Sequence, residues 1–430
     1  MKMLKRATGR WAAILAASAL ATGVAASAHA ESIKMMGWVG LFDFQKAGWE
    51  RIVSDFEAQN PGVTIEYIGT PFEDTLNQAT VAILGNNAPD VIQIASSWVP
   101  QLAGMGALEP LSDHLPADEI AQFPKASLDA ATIDSKVLAL DWLPGPISMG
   151  YNRTLMKKAG LDPDSPPKTW DEFTNAVDKI CALGGDGDAK IYGVSLRTAR
   201  NPNSAHWALP IIWANGGSVV DESGKVSFNN DGVRKAFDWY RDVIRRGCSQ
   251  EAFDIQGSRN VFAQGRAGFI FEGPWLRGLV EKLSGGKLSV APEGDVWIAP
   301  VPAAADGKVK QIENSNMLVM TKQAKNKKLA AKFISFVLGN KDTVEYFYET
   351  SQQLTTGRLD ILKQGKMGAD PYIQAFVDTL PVSDPLPINN PQVNAILDAV
   401  TPALQSIIQG GDANDELSNA DREIDRTLGQ

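Results

Sequence analysis

Residues 84 to 111, LGNNAPDVIQIASSWVPQLAGMGALEPL, constrain the fold most tightly, because they set a helix end, a turn, a buried strand and a new helix start in immediate succession. The Gly-Asn-Asn-Ala-Pro turn from Gly85 to Pro89 closes one helix and releases the short apolar strand Asp90 to Ile94. That strand stops at Ser96-Ser97-Trp98, so its polar side chains gather at the carboxyl end. In open α/β sheets this is the edge at which ligands bind. Ser97 and Trp98 offer a small hydroxyl beside a flat apolar face, although a tryptophan here fits packing under the next helix equally well.

The same alternation of helix and strand runs through the chain, as α/β lobes require. Trp49, Ile52, Val53 and Phe56 form an i, i+3, i+4, i+7 stripe ended by Asn60-Pro61-Gly62, and a strand follows from Val63 to Ile68. Thr169 and Glu172 make a capping box for a helix whose buried face is Phe173, Ala176, Val177 and Ile180. Val233, Phe237, Tyr240 and Ile244 mark another helix. Two more are expected after Pro391, with Val393, Ile396, Leu397, Val400 and Leu404 on one face and Leu417, Ile424 and Leu428 on the other. These stripes are core and carry no binding role.

The first 30 residues read as an export signal. Lys2, Lys5, Arg6 and Arg10 precede an apolar run from Trp11 to Ala26, and Ala28-His29-Ala30 suits cleavage before Glu31. The run is shorter than the ~20 residues of a spanning helix, and no Cys follows it for lipid attachment. Cleavage removes four cations and no acids, moving the formal charge from −9 to −13. So acidic a surface argues against nucleic acid and anionic membranes as partners. The remaining length exceeds what one core usually supports, so two lobes are expected. Cys181 and Cys248 would enter an oxidising compartment, and the sequence leaves open whether they bridge.

Catalytic and metal signatures are missing. Beyond the signal the histidines are His114 and His206, far apart, and no Walker loop, GxGxxG or GxSxG occurs, so neither cofactor nor metal is expected. The recurring feature is aromatic residues beside small polar groups at element ends. Trp38, Phe42 and Asp43 follow the first strand, Phe72-Glu73 opens the second helix, and Trp142 follows the strand Val137 to Asp141. Asn203, His206 and Trp207 are expected in a polar loop, and Glu272-Gly273-Pro274-Trp275 turns out of the strand Ala267 to Phe271. Sugars have apolar C–H faces and hydroxyl rims, so their sites need rings to stack on and polar groups at the edge.

Five stretches carry a resemblance that spans nearly the whole chain: FEAQNPGVTIEYI at 56 to 68, the strand and turn at 84 to 111, YNRTLMKKAGLDPDSPPKTWDEF at 151 to 173, AGFIFEGPW at 267 to 275, and INNPQVNAILDAV at 388 to 400. In their order and spacing they resemble the carbohydrate-type extracellular solute-binding proteins of ABC importers, family 1. The resemblance implies a type II periplasmic-binding-protein fold of two discontinuous α/β lobes joined by a three-crossing hinge. With the signal at 1–30, the first lobe would comprise 31–142 and 296–352, and the second 143–295 and 353–430. The crossings would lie at Leu143 to Pro146, Val296 to Pro300 and Gln353 to Arg358.

The resemblance also implies that Glu73, Ser97, Trp98, Trp275 and Asn390 face ligand. Two departures from the pattern are Glu313-Asn314, where many members have Gly-Gly, and Leu354-Thr355-Thr356-Gly357-Arg358, which lacks the usual proline. Asn314 and Arg358 therefore join the candidates, Arg358 either for an acidic sugar or as a salt bridge. The expected function is a monomeric periplasmic receptor delivering a mono- or oligosaccharide to the permease subunits of an ABC importer, without enzymatic activity. A receptor for a non-sugar solute and an exported glycosidase are the alternatives.

Overall fold

The computed structural model describes residues 31–200, 202–219, 221, 225–380, 383–384 and 392–429. The expected signal peptide and Asn390 lie outside these residues. The chain opens with strand β1 (Glu31–Gly37), helix α1 (Asp43–Gln59), β2 (Val63–Gly69), α2 (Phe72–Leu84), β3 (Val91–Ala95), β4 (Leu108–Glu109) and β5 (Ala139–Leu143). Residues 144–147 then lead to β6 (Ser148–Asn152), followed by α3 (Trp170–Cys181), β7 (Tyr192–Ser195), α4 (Pro202–Ala214), α5 (Asp231–Arg245), β8 (Ala267–Glu272), α6 (Leu276–Leu283), β9 (Val296–Ala299) and β10 (Gln311–Ile312). The chain returns through β11 (Asn316–Thr321), α7 (Lys327–Gly339) and α8 (Lys341–Ser351). It finishes with β12 (Ser383–Asp384), α9 (Val393–Ile408) and α10 (Ala413–Leu428).

Two sheets result. The first runs β2-β1-β3-β11-β4, with β5 also paired to β11, and the second runs β9-β6-β8-β7. Strands β1, β2 and β3 are parallel, so Gly37, Gly69 and Ala95 end on one edge. Each sheet is covered on both faces. In the first, Trp49, Ile52 and Phe56 of α1 pack with Phe333 and Val337 of α7 and Phe347 of α8, while Ala79 and Ile83 of α2 pack with Trp98 and Leu102 on the other side. In the second, the buried stripes of α3, α5, α9 and α10 share one core, and Val280, Leu362, Tyr372 and Phe376 form the other. The capping box forms as read: the Glu172 N–H donates to the Thr169 hydroxyl, and the Thr169 N–H to the Glu172 carboxylate, at 3.3 Å each.

One crossing is corrected. Strand β9 pairs antiparallel with β6, Val296 opposite Asn152 and Ala299 opposite Met149, so Val296–Ala299 belongs to the second sheet. The chain re-enters the first sheet only at β11, and the second crossing is the stretch around Glu313-Asn314-Ser315. An apolar strand reads identically in either sheet, which is why its alternation did not assign it. Cys181 and Cys248 are joined, with Cα atoms 5.2 Å apart. Among the described residues no helix is long and apolar enough to cross a membrane.

Candidate functional site

The shared edge of β1, β2 and β3 carries an aromatic cluster drawn from three separate segments. Trp38 follows β1, Phe72 begins α2 and Trp98 ends the turn after β3. Trp38 meets Phe72 edge-on at 5.1 Å and Trp98 at 5.7 Å, and Phe72 lies 5.1 Å from Trp98 at a 33° tilt. Such T-shaped and tilted contacts are the favoured arrangements of rings. Trp38 is held from below: its N–H and that of Val39 both donate to Gln93 Oε1 at 3.0 Å. Gln93 is fully buried in β3, and it was not singled out in the sequence although a lone amide in an apolar strand is itself a signal. Glu73 is exposed beside this cluster, while Ser96 and Ser97 are buried.

The second sheet presents its own carboxyl edge toward the crossings. Glu272, at the end of β8, pairs with Ser148, the first residue after residues 144–147. Glu272 is completely buried and accepts from Arg197 at 2.5 Å, from Arg259 at 2.7 and 3.2 Å, and from the indole N–H of Trp275 at 2.5 Å. Burial raises its pKa, but Arg259 and Arg197 outweigh that and hold it down at about 2. Glu272 is therefore a carboxylate that positions Trp275 rather than a ligand contact. Trp275 is half-buried and lies across Gly273 and Gly145; a Cβ on Gly273 would sit 2.5 Å from the ring and one on Gly145 3.0 Å from it. The ring thus roofs the first crossing, and the Asn314 N–H donates to the Gly145 carbonyl at 3.0 Å beneath it.

His206 and Trp207 are both buried. The Trp207 indole donates to the Phe271 carbonyl at 2.8 Å, and the Arg197 guanidinium lies 3.6 Å over its ring, so Trp207 is a shelf for Arg197. His206 is pushed down to about 3 by burial and by Arg197; it is a neutral imidazole whose Nε2 has no partner among the described residues. Asn203 lies in α4, and its side chain is outside the described atoms.

Further candidates are engaged within the protein itself or stand apart from the ring cluster. Trp142 is fully buried in the first core, 6.0 Å from both Trp49 and Phe347, because β5 is covered on both faces. Arg358 gives its fork to Asp360 at 3.1 and 2.8 Å and lies 3.9 Å from Glu119, so the salt-bridge alternative holds and no fork is left for a ligand acid. Asp43 forms an ion pair with Lys282 of α6 at 2.5 Å, which lowers its pKa and links the two lobes. Phe42 beside it stands apart from the aromatic cluster and is 39% exposed. A second link is the approach of α9 to the Ser96–Trp98 turn.

Among the described residues no cluster of His, Cys, Asp and Glu suits a metal ion. Known proteins share this architecture. A binding protein of Brucella abortus (strain 2308) is 26% identical over 97% of this chain and 98% of its own length. A maltotriose-binding protein of Pyrococcus abyssi (strain GE5 / Orsay) is 23% identical, covering 89% of this chain and 79% of its own. The crystal structure of an ABC transporter solute-binding protein from Thermotoga lettingae TMO bound with α-D-tagatose superposes with a TM-score of 0.81 at 25% identity, covering 93% of this chain and 99% of that one. The sequence profile of the bacterial extracellular solute-binding proteins matches residues 44–344, most of the chain, and the chain belongs to that family.

Proposed function

We propose that this protein is a periplasmic receptor that captures a mono- or oligosaccharide between its lobes and delivers it to an ABC importer. The observation that carries the reading is the ring cluster Trp38-Phe72-Trp98 at the edge where the parallel strands of the first sheet end, its tryptophans 4% and 7% exposed, together with the half-buried Trp275 over the first crossing. Polar residues adjoin these rings along the chain and at the crossing: Glu73 follows Phe72, Ser97 precedes Trp98, and Asn314 donates its N–H to the Gly145 carbonyl beneath Trp275. Ring faces stack on sugar C–H surfaces while the rim groups meet hydroxyls, and a ligand touching both lobes favours the arrangement in which both contacts exist. The names of the tagatose-bound and maltotriose-binding relatives support the same ligand class. Glu272 has every oxygen engaged by arginines and Trp275, which removes it as an acid or base for glycoside hydrolysis.

The test is a thermal-shift screen of mono- and oligosaccharides, followed by calorimetry and recovery of the ligand. A sugar at ~100 times its Kd should add about 2.7 kcal/mol to stability and be recovered unchanged in one-to-one stoichiometry. Cleaved sugar would establish a glycosidase, and silence toward all saccharides alongside binding of another solute class would overturn the sugar reading.

A further inference from the structure

Two acids meet where the three crossings converge. Asp141 lies in β5, just before the first crossing, and Glu313 lies in the second; they are 1% and 5% exposed. The Gly145 N–H of the first crossing donates to Glu313 Oε1 at 3.0 Å. The Gly357 N–H of the third donates to the Asp141 carbonyl at 3.0 Å, and a Cβ on Gly357 would lie 2.5 Å from that of Asp141. Each connection between the lobes thus touches one of the two acids.

Among the described residues no cation acts on either acid. Ser127 faces Asp141, and Ser315 stands between the acids, donating to Glu313 Oε1 while also contacting Asp141. Asp141 Oδ1 and Glu313 Oε2 have no hydrogen-bond partner among the described residues. Arg358, next to Gly357, is engaged by Asp360 and Glu119. A hydroxyl carries a single proton. With that proton given to Glu313, Ser315 can turn only a lone pair toward Asp141, and this contact is favourable when one of the two acids supplies a proton of its own. Burial raises both carboxyls, and the Asp141 charge raises Glu313 further. Two bare carboxylates here would repel in a dry environment without a cation to compensate.

We propose that Asp141 and Glu313 hold one proton between them and that its loss drives the crossings toward an arrangement in which the pair is separated or wetted, so that lobe movement is proton-linked. The proposal rests on the receptor reading, since only lobes that move have a second arrangement to offer. Its sign is fixed: the dry pair binds a proton more tightly than a wet one, so acid favours the arrangement described here and alkali the other.

Infrared spectroscopy and small-angle scattering on the purified, sugar-free protein from about pH 5 to about pH 9 test it, a range that starts just above ordinary carboxyl values and extends well past them. At neutral pH the wild type should show a C=O band of a protonated carboxylic acid that fades on alkalinisation, with a shift in radius of gyration at the same midpoint. Glu313→Gln should lose the band and flatten the scattering response. Asp141→Asn, which removes the repelling neighbour, should move the midpoint to lower pH and keeps the test available if the first variant fails to fold. Absence of the acid band, or a band that fades while the radius stays constant, overturns the proposal. A sugar-induced change of radius at fixed pH is read separately: its presence with a pH-independent radius refutes the proton linkage alone, and its absence refutes the receptor reading.

Discussion

Glutamine at position 272 has nearly the shape of the native glutamate and none of its charge. In the native chain that charge is fully buried and shared by Arg197, itself 4% exposed, Arg259 and the Trp275 indole. Removing one member of a buried ion pair leaves an uncompensated charge and costs about 3 to 5 kcal/mol. Linkage gives a second figure. A carboxyl held at about 2 against its ordinary 4.5 contributes about 3 kcal/mol near neutrality. Because the folded value is depressed, this contribution is complete above about pH 4.5 and disappears as the pH falls through about 2. Urea unfolding followed by tryptophan fluorescence should therefore show Glu272→Gln less stable than wild type by about 3 kcal/mol at pH 7, with the gap shrinking at acid pH. Equal stability at pH 7, or a gap that does not depend on pH, would refute the idea that a buried carboxylate anchors Trp275.

Other outcomes follow from the same geometry. Trp275→Ala should weaken sugar binding by about 1 to 3 kcal/mol in calorimetry with a near-native melting temperature, whereas Trp142→Ala should cost about 3 to 5 kcal/mol of stability and leave the affinity of the folded protein unchanged. Gln93→Leu strands the Trp38 and Val39 N–H groups, at about 1 to 3 kcal/mol each in urea unfolding, and should also reduce sugar affinity through Trp38. Replacing Cys181 and Cys248 by serine opens a loop spanning a sequence separation of 67 and should lower stability by about 4 kcal/mol without altering affinity.

How far the site could be read in advance depended on what each signal contains. The stripe of α1, the Thr169 capping box and the turn at Gly85 to Pro89 are local patterns, and they form where the sequence places them. The ring cluster was legible one ring at a time, because each ring follows a strand end or opens a helix at the edge where parallel strands terminate. Trp142 and Glu272 were misplaced for a common reason. Both sit at strand ends beside a crossing, as a ligand contact would, but side-chain direction depends on what covers each face of the sheet. Arg197 and Arg259, distant in sequence from Glu272, leave no local trace of the pairing that consumes its charge. Val296–Ala299 shows the same limit at the level of topology, since its apolar pattern suits either sheet.

A sugar bound between the lobes should draw them together. Small-angle scattering at constant pH, with and without a saturating saccharide identified by the thermal screen, tests it most directly, because a ligand contacting Trp38-Phe72-Trp98 on one lobe and Trp275 on the other must bias the equilibrium toward closure. The bound protein should have a smaller radius of gyration, a change lost in Trp275→Ala at the same sugar concentration. An unchanged radius in the presence of calorimetrically confirmed binding would contradict it.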